Sequence, residues 1–265
     1  MNLHAAAVVL RPRGVLEVTD LAFRFVRARA VPLYARLGAV LLLPCFAGCL
    51  ALRYALALPW GYTWIAAISL GTVIQGAFTV AAGRLFFSAK VSAREALGAF
   101  AQRLPSYLIA LLGSRLILAA ASLTVVLPII AWPRLFFVHE ASLLEGSRAG
   151  AAIQRSDRLA SQRFGAVLGS LLAMLGLQAV LVIAAELLGQ GIVDDLLQLG
   201  KPFGSLLKDQ GSPYALAGYF FSVPYAATAR YLAYIDARTR TDGWDVQVRF
   251  TSVVAAEQSA NAEAA

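Results

Sequence analysis

Long apolar runs separated by short polar segments set the layout of this chain. Runs at 37–58, 63–87, 164–188 and 213–235 are each long enough to cross a bilayer, which takes about 20 residues in a helix. Residues 105–145 form a longer, mostly apolar stretch that fits one long helix or a hairpin of two. A hairpin would turn near residues 122–128, where Pro128 ends or kinks a helix. Its second arm, 129–145, is short for a span and carries Arg134, His139 and Glu140. That arm is expected to be kinked, tilted or shielded by its neighbours.

The segments between the runs have patterns of their own. On a helix over 15–30, Glu17, Asp20, Arg24 and Arg27 share one face, and Val15, Val18, Ala22, Phe25 and Val26 share another. This fits an amphipathic helix lying at a membrane interface, with a solvated arm as the alternative. Pro59-Trp60-Gly61-Tyr62 reads as a tight turn with aromatics at headgroup level. Ser92-Ala93-Arg94-Glu95 is a capping box that opens a short helix, and Pro105 fits the first turn of the next one. Residues 148–163 read as a polar, basic helix and 189–212 as a mildly amphipathic loop. Small residues recur at Ala67/Gly71, Thr72/Gly76 and Gly165/Gly169, a spacing that lets helices approach closely.

Composition agrees with this pattern. Of 265 residues, 59% are hydrophobic and 14% charged, against about 45–50% and 25% in soluble domains. A disordered chain, a small disulfide scaffold and an ordinary soluble enzyme are excluded. The expected fold is all-α: a polytopic integral membrane helix bundle of about six transmembrane helices with interfacial amphipathic helices. Residues 1–36 form an N-terminal arm, 37–235 the transmembrane domain and 236–265 a tail that ends in disorder. A cleavable signal peptide is not expected, because the apolar stretch at 5–10 is short and Arg11 and Arg13 follow it.

Charge sets the orientation. With six spans, sixteen of the 23 Lys and Arg fall in the arm, two connecting loops and the tail. Two fall on the opposite side and five lie within spans. By the positive-inside rule both termini face the cytoplasm, and 105–145 crosses twice. The net charge of +8 is therefore an orientation signal. It lacks the interleaved aromatics and motifs of a nucleic-acid footprint, so nucleic acid is not an expected partner. The expected location is the inner membrane of a bacterium. The expected partners are membrane lipids, including anionic headgroups, and other membrane proteins.

Charges inside spans are the candidate chemistry, because each costs at least ~2.5–3.5 kcal/mol at the bilayer centre. Arg84 and Arg230 lie near inner helix ends and can snorkel. Arg53 and Glu186 lie near the outer face and could pair. Arg115 lies roughly 15 Å into its helix and Glu140 roughly 9 Å into the next arm. The expected buried cluster is therefore an Arg115–Glu140 ion pair with Arg134 and His139 beside it. A proton or ion pathway is the alternative. Cys45 and Cys49 read as small apolar residues on one helix face, and zinc would need about four ligands. No catalytic motif is present, so neither an enzyme nor a cofactor is expected.

Two charged stretches carry a further signal. One runs from Leu144-Glu145-Gly146 through Ala152-Ile153-Gln154-Arg155-Ser156-Asp157-Arg158-Leu159 to Arg163-Phe164-Gly165. The other is Tyr234-Ile235-Asp236-Ala237-Arg238-Thr239-Arg240-Thr241-Asp242-Gly243-Trp244-Asp245-Val246. Together they resemble the bacterial polytopic membrane proteins grouped with the membrane domain of glycerophosphoryl diester phosphodiesterase. That group shows an acidic-Gly step, an Ala-x-x-Arg-Ser-x-x-Leu helix between spans, and a charged closing motif after the last span. The resemblance implies about six inner-membrane helices. It implies no hydrolase activity, because this chain has no room for the soluble phosphodiesterase domain.

Physically, Asp236 and Arg240 can pair at i,i+4. Arg238 and Arg240 suit a helix C-terminus, and Asp242-Gly243 signals a turn. Residues 244–250 alternate as a short extended segment. Glu145 and Asp157 are expected to meet Arg238 and Arg240 in a cytoplasmic clasp, with Arg155, Arg158 and Arg163 facing headgroups or the acidic tail. A binding patch for anionic lipid or a partner is the rival reading. The expected function is a membrane scaffold or accessory component, and the alternative is a transporter, channel or lipid-handling protein built on the buried cluster.

Overall fold

The computed structural model describes residues 13–200 and 202–243. Regular structure among them is helical. In chain order the helices are α1 (Val15–Tyr54), α2 (Trp60–Phe87), α3 (Ala93–Ala121), α4 (Leu127–Arg134), α5 (Val138–Leu143) and α6 (Ala149–Ser161). They continue with α7 (Phe164–Leu196), α8 (Leu206–Asp209) and α9 (Pro213–Asp242). Four of them, α1, α2, α3 and α7, are long and apolar enough to cross a membrane. The extended segment expected over 244–250, and the tail beyond it, lie outside the described residues.

Several expected boundaries move. The N-terminal arm and the first span are one helix, so the boundary at 36 falls inside α1. Its amphipathic face is used in packing: Val18, Ala22 and Phe25 are buried against α7 and α9. The helix widens into π turns at Val26–Ala30 and Gly38–Leu42. Each π turn stops two residues short of a proline, Pro32 or Pro44, which has no N–H for the regular ladder.

The capping box at Ser92 and Glu95 forms as expected. The helix it opens, however, does not stop at Pro105, which sits inside α3. Phe100, Tyr107 and Leu111 fall on one face across the proline and share one buried cluster. That packing outweighs the single backbone hydrogen bond the proline removes. The hairpin turn lies where expected, between α3 and α4, and presents Leu123 and Val125 outward at 88% and 87% exposure. The return arm is broken into α4 and α5 around Leu135–Phe137, just after Pro133. Helix α7 runs on through a π turn to Leu196, into what was expected to be loop.

Helix α9 is the axis of the bundle. It is thirty residues long, continues past 235 to Asp242, and packs against α1, α2 and α7. Its Ala, Ser, Thr and Tyr residues make it less apolar than its sheath. The close approaches occur at glycines. A Cβ on Gly218 would lie 2.7 Å from the Leu181 carbonyl oxygen. One on Gly76 would lie 2.8 Å from Phe100 and from Tyr107. Gly165, by contrast, has open space where its side chain would be. A Cβ on Gly169 would lie 3.4 Å from Val15 of α1, so only Gly169 of the expected Gly165/Gly169 pair faces a neighbouring helix. The crossing of α7 uses Gly218 of α9 instead.

The elements bearing the arginines converge at one end, called here the basic end. Arg103 donates to the carbonyl of Leu143, Glu145 meets Arg155 and Arg238, and the Arg13 backbone N–H donates to Asp236 at 2.7 Å.

Candidate functional site

Three helices carry polar groups into the interior. Tyr107 comes from α3, His139 and Glu140 from α5, and Arg230 from α9, while Arg115 of α3 is exposed and borders the cavity beside them. The break between α4 and α5 makes this possible, because Phe136 and Glu140 meet Arg230 of α9 while His139 meets Tyr107 of α3.

The expected Arg115–Glu140 pair does not form. Glu140 is fully buried and faces Arg230 at 3.5 Å. Arg230 also donates to the carbonyl of Phe136 and lies 5.0 Å from the centre of that ring. Arg230 is therefore not a snorkelling residue. Treating the helix as ending at 235 placed Arg230 near a helix end. Since α9 continues to Asp242, Arg230 stands twelve residues, or about 18 Å, from that end. The sequence signal that could have found it is the run of helix-compatible residues from 236 to 242 before Gly243, which has φ 59°.

Arg115 has a neutral partner, the Thr72 hydroxyl at 3.4 Å. Among the described residues no carboxylate pairs with it. Arg134 leaves the expected cluster altogether: it is half exposed and lies 3.6 Å from Asp157. His139 is buried with Nδ1 2.7 Å from the Tyr107 hydroxyl. That hydroxyl also lies 3.0 Å from the Thr72 carbonyl oxygen, which can only accept. Tyr107 thus spends its one proton on Thr72, and His139 must donate from Nδ1, which makes it the Nδ1–H tautomer when neutral.

Arg115, Arg230 and His139 line one cavity of about 280 Å³ between α2, α3, α4, α5, α7 and α9. Gln75, Gln178 and Tyr219 add neutral polar groups, and Ile68, Trp132, Leu171 and Met174 supply apolar wall. Glu140 does not line it but sits behind Arg230. The buried Arg230 Nε and Glu140 Oε1 have no hydrogen-bond partner among the described residues. Two guanidinium groups therefore line the cavity, and the carboxylate nearest them, Glu140, sits behind Arg230 outside the lining. Arg53 and Glu186, which could have paired, take other partners. Arg53 stacks near Tyr54 and Trp60, while Glu186 accepts from Ser212 and from the Leu206 backbone N–H.

The charged clasp at the basic end exists with different partners. The positive φ of Gly146, 67°, turns the chain between α5 and α6 and sets Glu145 across from Arg155 at 3.2 Å. Glu145 also accepts from Tyr234 and lies 3.6 Å from Arg238. Arg155 reaches across to Asp242 with both terminal nitrogens, and Arg238 lies 3.4 Å from Asp242. Arg155 is thus central to the clasp and does not face headgroups. Asp157 is not a member, since it pairs with Arg134. Arg240 pairs with Asp236 at 3.2 Å and donates to the Arg13 carbonyl. Arg158 is exposed, and Arg163 borders a small crevice with Arg13 and Asp236.

Partial burial disfavours ionisation of Asp242. The hydrogen bonds and charge of Arg155, with Arg238, outweigh it and hold the carboxyl below its ordinary value. The Arg155 guanidinium is correspondingly pushed up by its bonds to Asp242.

Fold and site together define an all-helical bundle with four helices able to cross a membrane and a cationic internal cavity. No protein-family profile, curated protein or solved structure matches the chain.

Proposed function

We propose that this chain is an integral membrane protein that binds an anionic amphiphile in its internal cavity, as a lipid-handling protein or transporter. The observation that carries this reading is the pairing of Arg115 and Arg230 on one cavity with a single carboxylate behind them. A guanidinium at membrane depth needs a counter-charge or water. An anionic headgroup supplies the charge, and the apolar wall around Ile68, Trp132 and Met174 accepts a hydrocarbon chain. In this reading the chain crosses the inner membrane of a bacterium about six times, with the basic end and both termini in the cytoplasm. The charge asymmetry supports that orientation. Membership in the membrane proteins grouped with the glycerophosphoryl diester phosphodiesterase membrane domain belongs to the same proposal. It is supported by the two motifs that carry the resemblance, whose residues Glu145, Arg155, Arg238 and Asp242 meet in the clasp.

A scaffold or accessory role is the second reading, and the clasp favours it. It ranks below the first because the clasp side chains engage one another. The deciding experiment is mass spectrometry of lipids that co-purify with wild-type protein and with Arg115→Gln from native membranes. Loss of a bound anionic lipid in the variant supports the cavity reading, and an unchanged lipid profile overturns it.

A further inference from the structure

We propose that a second groove, at the basic end of the bundle, binds the phosphate headgroup of an anionic phospholipid. The groove has a volume of about 690 Å³ and lies between α2, α3 and α9. It shares no residue with the internal cavity, so the two readings stand or fall separately.

Three arginines line it: Arg238 of α9, which is engaged by Glu145 and Asp242, and Arg84 of α2 and Arg103 of α3, both exposed. Arg103 spends one N–H on the carbonyl of Leu143. Neither Arg84 nor Arg103 pairs with a carboxylate among the described residues. The carboxylate that borders the groove is Glu145, and it is already held by Arg155, Arg238 and Tyr234. Two guanidinium groups therefore face an open groove with donors to spare, and two planar forks match the oxygens of a phosphate. Ser88 and Gln102 lie on the same rim and add neutral hydrogen bonds.

The floor of the groove decides between a lipid and a soluble phosphate. Val80, Phe87, Leu144 and Ile235 line the same groove with apolar surface. A headgroup at the rim would thus have its acyl chain against apolar surface, the arrangement of basic lipid sites between membrane helices. A free phosphate would leave that wall in water.

The test uses full-length protein in phosphatidylcholine nanodiscs and fluorescent phosphatidylglycerol, with Arg84→Gln, Arg84→Gln/Arg103→Gln and the exposed control Arg158→Gln. Binding should weaken roughly fivefold per arginine removed and stay unchanged in the control. Arg84→Gln breaks no side-chain bond among the described residues, so it reads the site even if loss of the Arg103–Leu143 contact disturbs folding. Equal binding by wild type and Arg84→Gln overturns the proposal, as does equal loss in Arg158→Gln. Inorganic phosphate is the competing arm. Displacement of the lipid by millimolar phosphate, with the same dependence on Arg84, would overturn the lipid as occupant.

Discussion

Glu140 and Arg230 lie ninety positions apart in the chain and face each other at 3.5 Å inside the bundle. The pair ties the broken return arm to the central helix. Removing one member leaves a buried charge alone, which costs about 3–5 kcal/mol, whereas an apolar pair of similar volume is near neutral. Arg230→Met and Glu140→Leu should each lower the thermal unfolding midpoint in detergent strongly. The double variant should recover most of the loss. Additive losses would show that the two side chains do not act together.

Arg115 should behave differently. Its bond within the bundle is to the Thr72 hydroxyl, so Arg115→Leu should insert and fold with stability within about 1 kcal/mol of wild type. Fluorescence-detected size exclusion and thermal melting check this. Collapse of the fold would assign Arg115 a structural role that the geometry does not show.

The clasp predicts an acid-sensitive contribution. Asp242 is held below its ordinary value, near 4, by Arg155 and Arg238. A depressed carboxyl stabilises the fold fully above its unfolded value and loses that contribution as pH falls through the folded value. Thermal melts of wild type against Asp242→Asn should differ by on the order of 1 kcal/mol near neutral pH, discounted for solvent at the bundle end. The two should converge as the pH falls through the depressed folded value of Asp242. A double-mutant cycle should find coupling between Arg155 and Asp242, and none between Asp157 and Arg240. A constant difference across pH would remove the linkage.

Glycine placement gives a packing test. Gly218→Ala puts a Cβ against the Leu181 carbonyl and Ala185 and should cost about 1–3 kcal/mol as overpacking. Gly165→Ala meets open space and should be neutral or slightly stabilising, since alanine favours a helix. Melting curves of the two variants should diverge. Equal effects would place the α7 crossing elsewhere.

Orientation can be read chemically. In a variant with Cys45 and Cys49 replaced by alanine, Arg158→Cys should react with an impermeant maleimide only from the cytoplasmic side. Leu207→Cys, at a position 93% exposed, should react only from the opposite side. Labelling of both from one side would invert the topology or reduce the number of crossings.

Apolar periodicity and charge asymmetry were enough to expect an all-helical chain, the hairpin turn near 122–128 and the capping box at Ser92. These are local or compositional, and each is set by residues close together in sequence. The clasp was legible in part: Glu145 and Arg238 meet as expected. Asp157 does not join, because α6 folds back beside α4 and carries it to Arg134. Helix ends were read too early at residues 104, 188 and 235. Proline, glycine and polar residues there look like stops until packing on one face carries the helix through.

What the sequence determined alone is the class of object: apolar helices with basic residues gathered at one end, and a few charges that cannot face lipid. What only the tertiary structure decided is how those charges pair. Arg115, Arg134, His139 and Glu140 are close in sequence or in expected depth. Even so, the partner of Glu140 is Arg230, the partner of Arg134 is Asp157, and Arg115 is left with a hydroxyl and a cavity. Depth along a helix axis is a one-dimensional quantity that sequence supplies. Which faces meet depends on rotation about that axis, and here the break at Leu135–Phe137 and the close crossing at Gly218 set that rotation.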